Sequence, residues 1–88
     1  MKIYIILPCY NEGEALPYLL DSLLKEVSNG SLKEYEVLVI NDGSQDNTED
    51  VVKRWTDKLN IHLINHRENM GLGEAVNTGL TYFCSKSS

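Results

Sequence analysis

The chain has 88 residues, 42% of them hydrophobic, which suits one globular domain and excludes two domains or a disordered tail. Its 8 Lys and Arg against 13 Asp and Glu leave a formal net charge of -5, and no basic run occurs. Direct nucleic-acid binding is thereby disfavoured, since it rests on neutralising phosphates, and an anionic ligand would need a metal, a helix N-terminus or backbone amides to offset repulsion.

Residues 2–8, KIYIILP, form a continuous apolar run and predict a strand covered on both faces. The run is too short for a signal peptide or a membrane span. Leu16, Leu19, Leu20, Leu23, Leu24 and Val27 then recur at helical spacing, with Asp21, Ser22, Lys25 and Glu26 between them, and predict an amphipathic helix. Pro17 falls in its first turn, where a missing N–H costs nothing, and SNGS at 28–31 supplies the stop. EVLVIND, 36–42, predicts the second strand, and Val51, Val52, Trp55 and Leu59 share one side of the helix after it. Asp46 and Glu49 have the spacing of a capping box and mark that helix's start. NIHLINH, 60–66, predicts a third strand, followed by the turn NMGLG, a helix carrying Ala75, Val76, Leu80 and Phe83, and a frayed tail, SKSS.

Strand and helix alternating in this way predict an α/β fold with a Rossmann-like parallel sheet and right-handed crossovers. Ligands of such sheets sit at the carboxyl ends of the strands. Here those ends carry Pro8-Cys-Tyr-Asn-Glu12, Asn41-Asp-Gly-Ser44 and His66-Arg-Glu-Asn69, which are expected to converge on one edge. A domain this small removes only about 60% of its unfolded surface from water, so a partner or a further segment is expected to cover part of it. An open half-sheet also leaves an edge strand bare, which makes self-association through that edge an expectation.

Asp42 follows an apolar strand, and Gly43 lets the chain turn sharply after it. A carboxylate there either accepts hydrogen bonds from a base or a ribose, or bonds its own turn. Asp46 reads chiefly as a helix-start residue. In PCYNEGE, Tyr10 can stack on a base or pack on apolar surface, while Asn11 and Glu12 can bond a ligand or cap the coming helix; together they favour a pocket. Gly71-x-Gly73 lacks the third glycine of a dinucleotide fingerprint, Val76 standing in its place, and reads as a tight turn whose N–H groups can approach a ligand. Asn69 and Asn77 line or satisfy that turn. His62 reads as a strand histidine without a catalytic part, whereas His66 and Arg67, near the end of that strand, can face the pocket, although position alone does not decide it. No zinc spacing or nucleophile elbow occurs. Cys9 and Cys84 form no CxxC pair and are expected to be reduced core or near-core thiols of a cytoplasmic protein.

Taken in order, LPCYNEGEALPYLLDSL, EVLVINDGSQDNTEDVV and NMGLGEAVNTGL resemble the opening of family 2 glycosyltransferases, which have a GT-A fold. Within that family the dolichyl- and undecaprenyl-phosphate sugar synthases are the subgroup the blocks are most similar to. The resemblance spans residues 3 to about 83 and implies the N-terminal half of a GT-A fold, with residues 1–88 a single, truncated nucleotide-sugar-binding domain. Its implied partner is a nucleotide-diphospho-sugar. Pro8, Tyr10 and Glu12 match the family's first loop, against the nucleoside, with Asn11 between them. Asp42 matches the second acid of the Asp-Asp-Gly-Ser block, which contacts the nucleobase, and Gly43 follows it. Asn69, Gly71 and Gly73 match the turn bordering the same pocket. Asn41 replaces the block's first acid, a departure expected to be tolerated.

The family's metal-binding Asp-x-Asp motif does not occur in these 88 residues. The chain is accordingly expected to hold no cofactor and to be inactive alone, with Mg or Mn expected only in a longer relative. No catalytic and no metal-ligating residue is assigned. Membrane contact is left open: the resemblance allows a longer protein at the cytoplasmic membrane face, since similar enzymes with lipid acceptors often carry membrane segments after the catalytic domain. The competing expectation is a Rossmann-like structural or interaction module without catalytic activity.

Overall fold

The computed structural model describes residues 2–87. Along the chain β1 (Ile3–Cys9), α1 (Leu16–Ser28), β2 (Tyr35–Asp42), α2 (Thr48–Trp55), β3 (Ile61–His66) and α3 (Leu72–Ser87) alternate. The strands are parallel, in the order β1-β2-β3, with Ile5 beside Val37 and Val37 beside Ile61. Successive side chains of a strand point to opposite faces. Val37 and Val39 therefore join Leu16 and Leu20 of α1 and Val51 and Val52 of α2 in one core layer. Leu38 and Ile40 meet Ala75 and Phe83 of α3 in the other.

The central strand explains its own sequence. With helices on both faces, Val37 to Ile40 are wholly buried, and each such side chain contributes about 1.5–3 kcal/mol relative to remaining exposed. β1 differs from the expectation of cover on both faces. It has a neighbouring strand on one side only, and its first residues, Ile3 and Tyr4, are 45% and 42% exposed. Tyr4 keeps one face against the Phe83 ring, 4.6 Å between centroids.

α1 follows its predicted stripe, with Pro17 in the first turn and the stop at Asn29 and Gly30. Leu16 and Leu20 are buried, whereas Leu19 is exposed. α2 is shorter than the periodicity suggests. It ends at Trp55, and Leu59 reaches the core from the following turn, its N–H on the Trp55 carbonyl at 3.0 Å. α3 runs on through Ser87, so the predicted fraying does not begin at Ser85, and Ser88 lies outside the described residues. Leu80, expected on the buried stripe of α3, is exposed. Gly79 rests directly on β1, because a Cβ there would lie 2.7 Å from Ile6 Cγ2. Cys9 is buried and Cys84 exposed, both as free thiols, so Cys84 is not the core thiol the sequence suggests.

Candidate functional site

All three strand tips meet at one edge, as the alternation requires. A cleft of about 340 Å³ opens there, lined by Pro8, Cys9, Tyr10, Glu12, Asp42, Asn69, Gly71, Leu72 and Ala75. Of the sequence-predicted residues, Pro8, Tyr10, Glu12, Asp42, Asn69 and Gly71 thus share one cavity, while Asn11, Gly43 and Gly73 stand outside it. An apolar hollow of about 180 Å³ adjoins it, lined in part by Leu7, Ala15, Leu16 and Leu19 and sharing Pro8, Cys9 and Glu12 with the cleft. Leu72 begins α3, so the partial positive charge of a helix N-terminus lies at the cleft beside the carboxylates of Asp42 and Glu12.

Asp42 is the last residue of β2 and faces the α3 side of the sheet, where it is only 4% exposed. Its Oδ1 accepts from the Met70 N–H at 2.9 Å and lies 2.8 Å from His66 Nδ1, and its Oδ2 accepts from the Gly71 N–H at 3.0 Å. Burial alone would raise its pKa. The Met70 amide, the His66 ring and the Gly71 amide outweigh that penalty and hold the carboxyl below its usual range. The carboxylate therefore fastens the loop before α3 onto β2 rather than bonding its own turn. Gly43 explains how that loop comes so close. Its φ is +76, and a Cβ would collide with the Glu68–Asn69 peptide, so a side chain is excluded both by backbone conformation and by space. Gly73 has open space around it and no such constraint.

The first loop is held by a second set of bonds that the sequence reading missed. Asn11 adopts the left-handed conformation, φ 52, a region in which Asn is enriched. Its N–H donates to Ser44 Oγ at 2.9 Å, and its side-chain oxygen accepts the Gln45 N–H at 2.9 Å. The Glu12 N–H donates to Thr48 Oγ1 at 3.1 Å and the Gly13 N–H to Asp46 Oδ2 at 3.0 Å. Asp46 Oδ1 meanwhile accepts from both the N–H and the hydroxyl of Thr48. The Thr48 hydroxyl foremost, then the Gly13 and Thr48 amides, hold the Asp46 carboxyl below its usual range against a smaller desolvation effect. The predicted capping box is consequently absent. Asn47 occupies the N-cap of α2 without a side-chain cap bond, and Glu49 turns instead to Asn65 Nδ2 at 3.1 Å and Lys53 Nζ at 3.5 Å. The sequence did contain one signal for this clasp, namely the polar run Ser44 to Thr48 placed opposite Asn11 across neighbouring strand tips.

The remaining candidates separate clearly. Neither His66 nor Arg67 lines the cleft: His66 bonds Asp42 beside it, and Arg67 is exposed. His62 lies four residues before His66 on β3, with Nε2 3.4 Å from Oε1 of the buried Glu36, which also pairs with Lys2 at 3.2 Å. Burial foremost, with the Glu12 and Asp46 carboxylates, pushes the Cys9 thiol up to about 11, so it remains protonated and unreactive at neutral pH. Among the described residues, no group of three or more His, Cys, Asp or Glu is placed to hold a metal ion. No helix of the described residues is long and apolar enough to cross a membrane.

A parallel α/β sheet whose cleft lies at the strand tips, walled by a backbone-held carboxylate and a helix N-terminus, is the arrangement of Rossmann-like nucleotide-binding domains. The family model described as "Glycosyl transferase family 2" matches residues 4–85, and the chain belongs to that family. It is 37% identical over 89 residues to a dolichyl-phosphate beta-glucosyltransferase of Dictyostelium discoideum, covering 93% of this chain and 27% of that protein. The corresponding Drosophila melanogaster enzyme is 36% identical over 87 residues, covering 91% and 27%. Among solved structures, S. aureus TarS in complex with UDP-GlcNAc superposes with a TM-score of 0.82 at 34% identity, over 93% of this chain and 23% of that one. A mannosyltransferase from Pyrobaculum calidifontis in complex with GDP-Man and Mn2+ gives 0.71 at 28% identity, over 92% and 24%. The three-stranded sheet is thus the N-terminal part of a GT-A fold, and the chain spans about a quarter of the length of these relatives.

Proposed function

We propose that the chain forms the donor-binding part of a glycosyltransferase, taking the nucleotide of a nucleotide-diphospho-sugar in the cleft at the strand tips. One observation carries this reading. An ionised carboxylate offers about four lone-pair sites; Asp42, which lines the cleft, has three occupied, two on Oδ1 and one on Oδ2, so one acceptor site on Oδ2 is unused. That acceptor suits an N–H on the edge of a base, with Tyr10 and the apolar wall of Pro8, Leu72 and Ala75 beside the ring. The UDP-GlcNAc and GDP-Man named for the structural neighbours support the ligand class. Sugar transfer then requires residues outside these 88, including the Asp-x-Asp motif, so the chain alone binds donor without turning it over.

Calorimetric titration of UDP, GDP and their sugars tests this. Binding is expected at millimolar ligand or below. Asp42→Asn is expected to weaken it roughly tenfold or more, the scale of a hydrogen bond to a charged group. Saturable binding unaffected by Asp42→Asn, in a variant whose circular dichroism is unchanged, would sink the proposal, as would no binding at all.

A second reading is favoured by the bare outer edge of β1, where Ile3 and Tyr4 are exposed and Leu19 and Leu80 lie uncovered on the flanking helices. It is self-association by edge-to-edge pairing. Sedimentation should show a concentration-dependent dimer that Ile3→Lys abolishes, and a strict monomer at all concentrations would eliminate this reading.

A further inference from the structure

Thr48 begins α2, does not line the cleft and is wholly buried, yet its hydroxyl is committed at both ends to the first loop and its clasp. Its single hydrogen goes to Asp46 Oδ1, and a lone pair accepts the Glu12 N–H at 3.1 Å. Because the carboxylate takes that hydrogen, the hydroxyl meets the loop as an acceptor, so Asp46 fixes its direction. Asp46 Oδ2 accepts the Gly13 N–H at 3.0 Å beside it. A Cβ on Gly13 would collide with the Asn47 side-chain oxygen, so the loop passes this close because residue 13 is glycine. Glu12 is thereby held at both peptide groups, its N–H on Thr48 and its C=O by the Leu16 N–H at 2.8 Å, and its side chain is the part that reaches the cleft wall. The Asn11 bonds to Ser44 and Gln45 fix the loop one residue earlier and leave the Glu12 peptide to Thr48. Burial foremost, then the Glu12 and Asp46 carboxylates, raises the Cys9 thiol, so both carboxylates stand near it. Their mutual repulsion pushes the loop away from Asp46, and the Thr48 bond opposes it.

We propose that Thr48, oriented by Asp46, is a positioning residue for nucleotide binding: its hydroxyl latches the first loop so that Glu12 stands in the cleft wall, and closing the latch is coupled to filling the cleft. The inference rests on the nucleotide reading above. A loop free to leave Thr48 samples states in which the wall is incomplete, and a nucleotide that binds the latched state better is weakened by the fraction of time spent elsewhere. The coupling is reciprocal, so a bound nucleotide must in turn hold the latch shut. A Thr48 that served the fold alone would change the folded fraction, but neither the affinity of the folded chain nor the response of the loop to ligand.

The test compares the unaltered 88-residue chain with Thr48→Val, which keeps the branched shape but loses the hydroxyl, and Thr48→Ser, which keeps the hydroxyl. UDP and GDP are titrated into each by calorimetry, and amide hydrogen exchange is followed by NMR with and without saturating nucleotide. Thr48→Val should bind roughly fivefold or more weakly, the scale of one neutral hydrogen bond, at a temperature where its thermal melt shows it folded, and Thr48→Ser should bind as the unaltered chain does. In the unaltered chain, nucleotide should slow exchange of the Glu12 and Gly13 amides more than that of Leu32, whose N–H bonds the Glu26 carbonyl in the loop at the opposite end of the sheet. If Thr48→Val does not fold, this comparison within the unaltered chain decides alone. Equal affinity in Thr48→Val and the unaltered chain, Thr48→Ser behaving like Thr48→Val, or Glu12 and Gly13 slowing no more than Leu32 overturns the positioning role and leaves the nucleotide reading standing. Failure of the unaltered chain to bind either nucleotide overturns both.

Discussion

Asp42 and Asp46 stand four positions apart in one acidic stretch, and their carboxylates hold together different walls of the cleft. Both are depressed in the folded chain, Asp42 by amides and a ring that outweigh its burial, Asp46 chiefly by the Thr48 hydroxyl. A group whose folded pKa lies below its unfolded value, about 3.9 for Asp, contributes stability that is complete above the unfolded value and is lost as pH falls through the folded one. Thermal melts should therefore show an acid limb starting near about pH 4 that flattens in Asp42→Asn and in Asp46→Asn. An identical limb in all three proteins would contradict the assignment. Asn41 supplies a further case. Its Nδ2 donates to Asn65 Oδ1, and Asn65 Nδ2 donates to Glu49, an acceptor that fixes the direction of the whole chain. Asn41→Asp would set acceptor against acceptor, and urea unfolding should show a loss of about 1–3 kcal/mol. The tip position of Asp42 was legible in the sequence because an apolar strand ended there. Asp46 was misread because its spacing to Glu49 fits a capping box equally well, and one chain segment cannot reveal that Gly13, on another, competes for the same carboxylate.

Elements were legible where their pattern depended on their own burial. β2 announced itself by four consecutive apolar residues, Val37 to Ile40, because both faces are covered. α2 was overextended because Leu59 keeps helical phase with Val52 and Trp55, although it is the turn after the helix that buries it. The approach of α3 to β1 left no mark in the periodicity, since a glycine at a contact and a glycine at a free surface read alike. The two cases separate experimentally. Gly79→Ala presses a methyl into Ile6, and although it gains about 1 kcal/mol in helix propensity, overpacking of about 1–3 kcal/mol should leave it no more stable than the unaltered chain and most often less. Gly73→Ala meets nothing within 4 Å and should stabilise by about 0.4–1 kcal/mol. Equal shifts in denaturant midpoint for the two variants would contradict the packing described for Gly79.

Across the molecule, the three blocks that carry family resemblance are the three that wall the cleft, which is why the location of the cleft could be read before its geometry. What could not be read was how the walls are tied to each other. Removing one tie, by Asp46→Ala, should accelerate hydrogen exchange of the Gly13 and Glu12 amides by roughly tenfold or more while leaving the β2 amides protected; uniform acceleration would instead indicate global destabilisation. Those ties join residues far apart in sequence: 33 positions between Gly13 and Asp46, 36 between Glu12 and Thr48, 29 between Gly71 and Asp42. Contacts of such span form only after the intervening loops have closed, and loop closure must precede any gain from them. A partly folded chain with two strands paired would have core but no cleft. A nucleotide held at the strand tips, as proposed, would therefore recognise only the fully assembled sheet, and its binding free energy would add directly to the stability of that state.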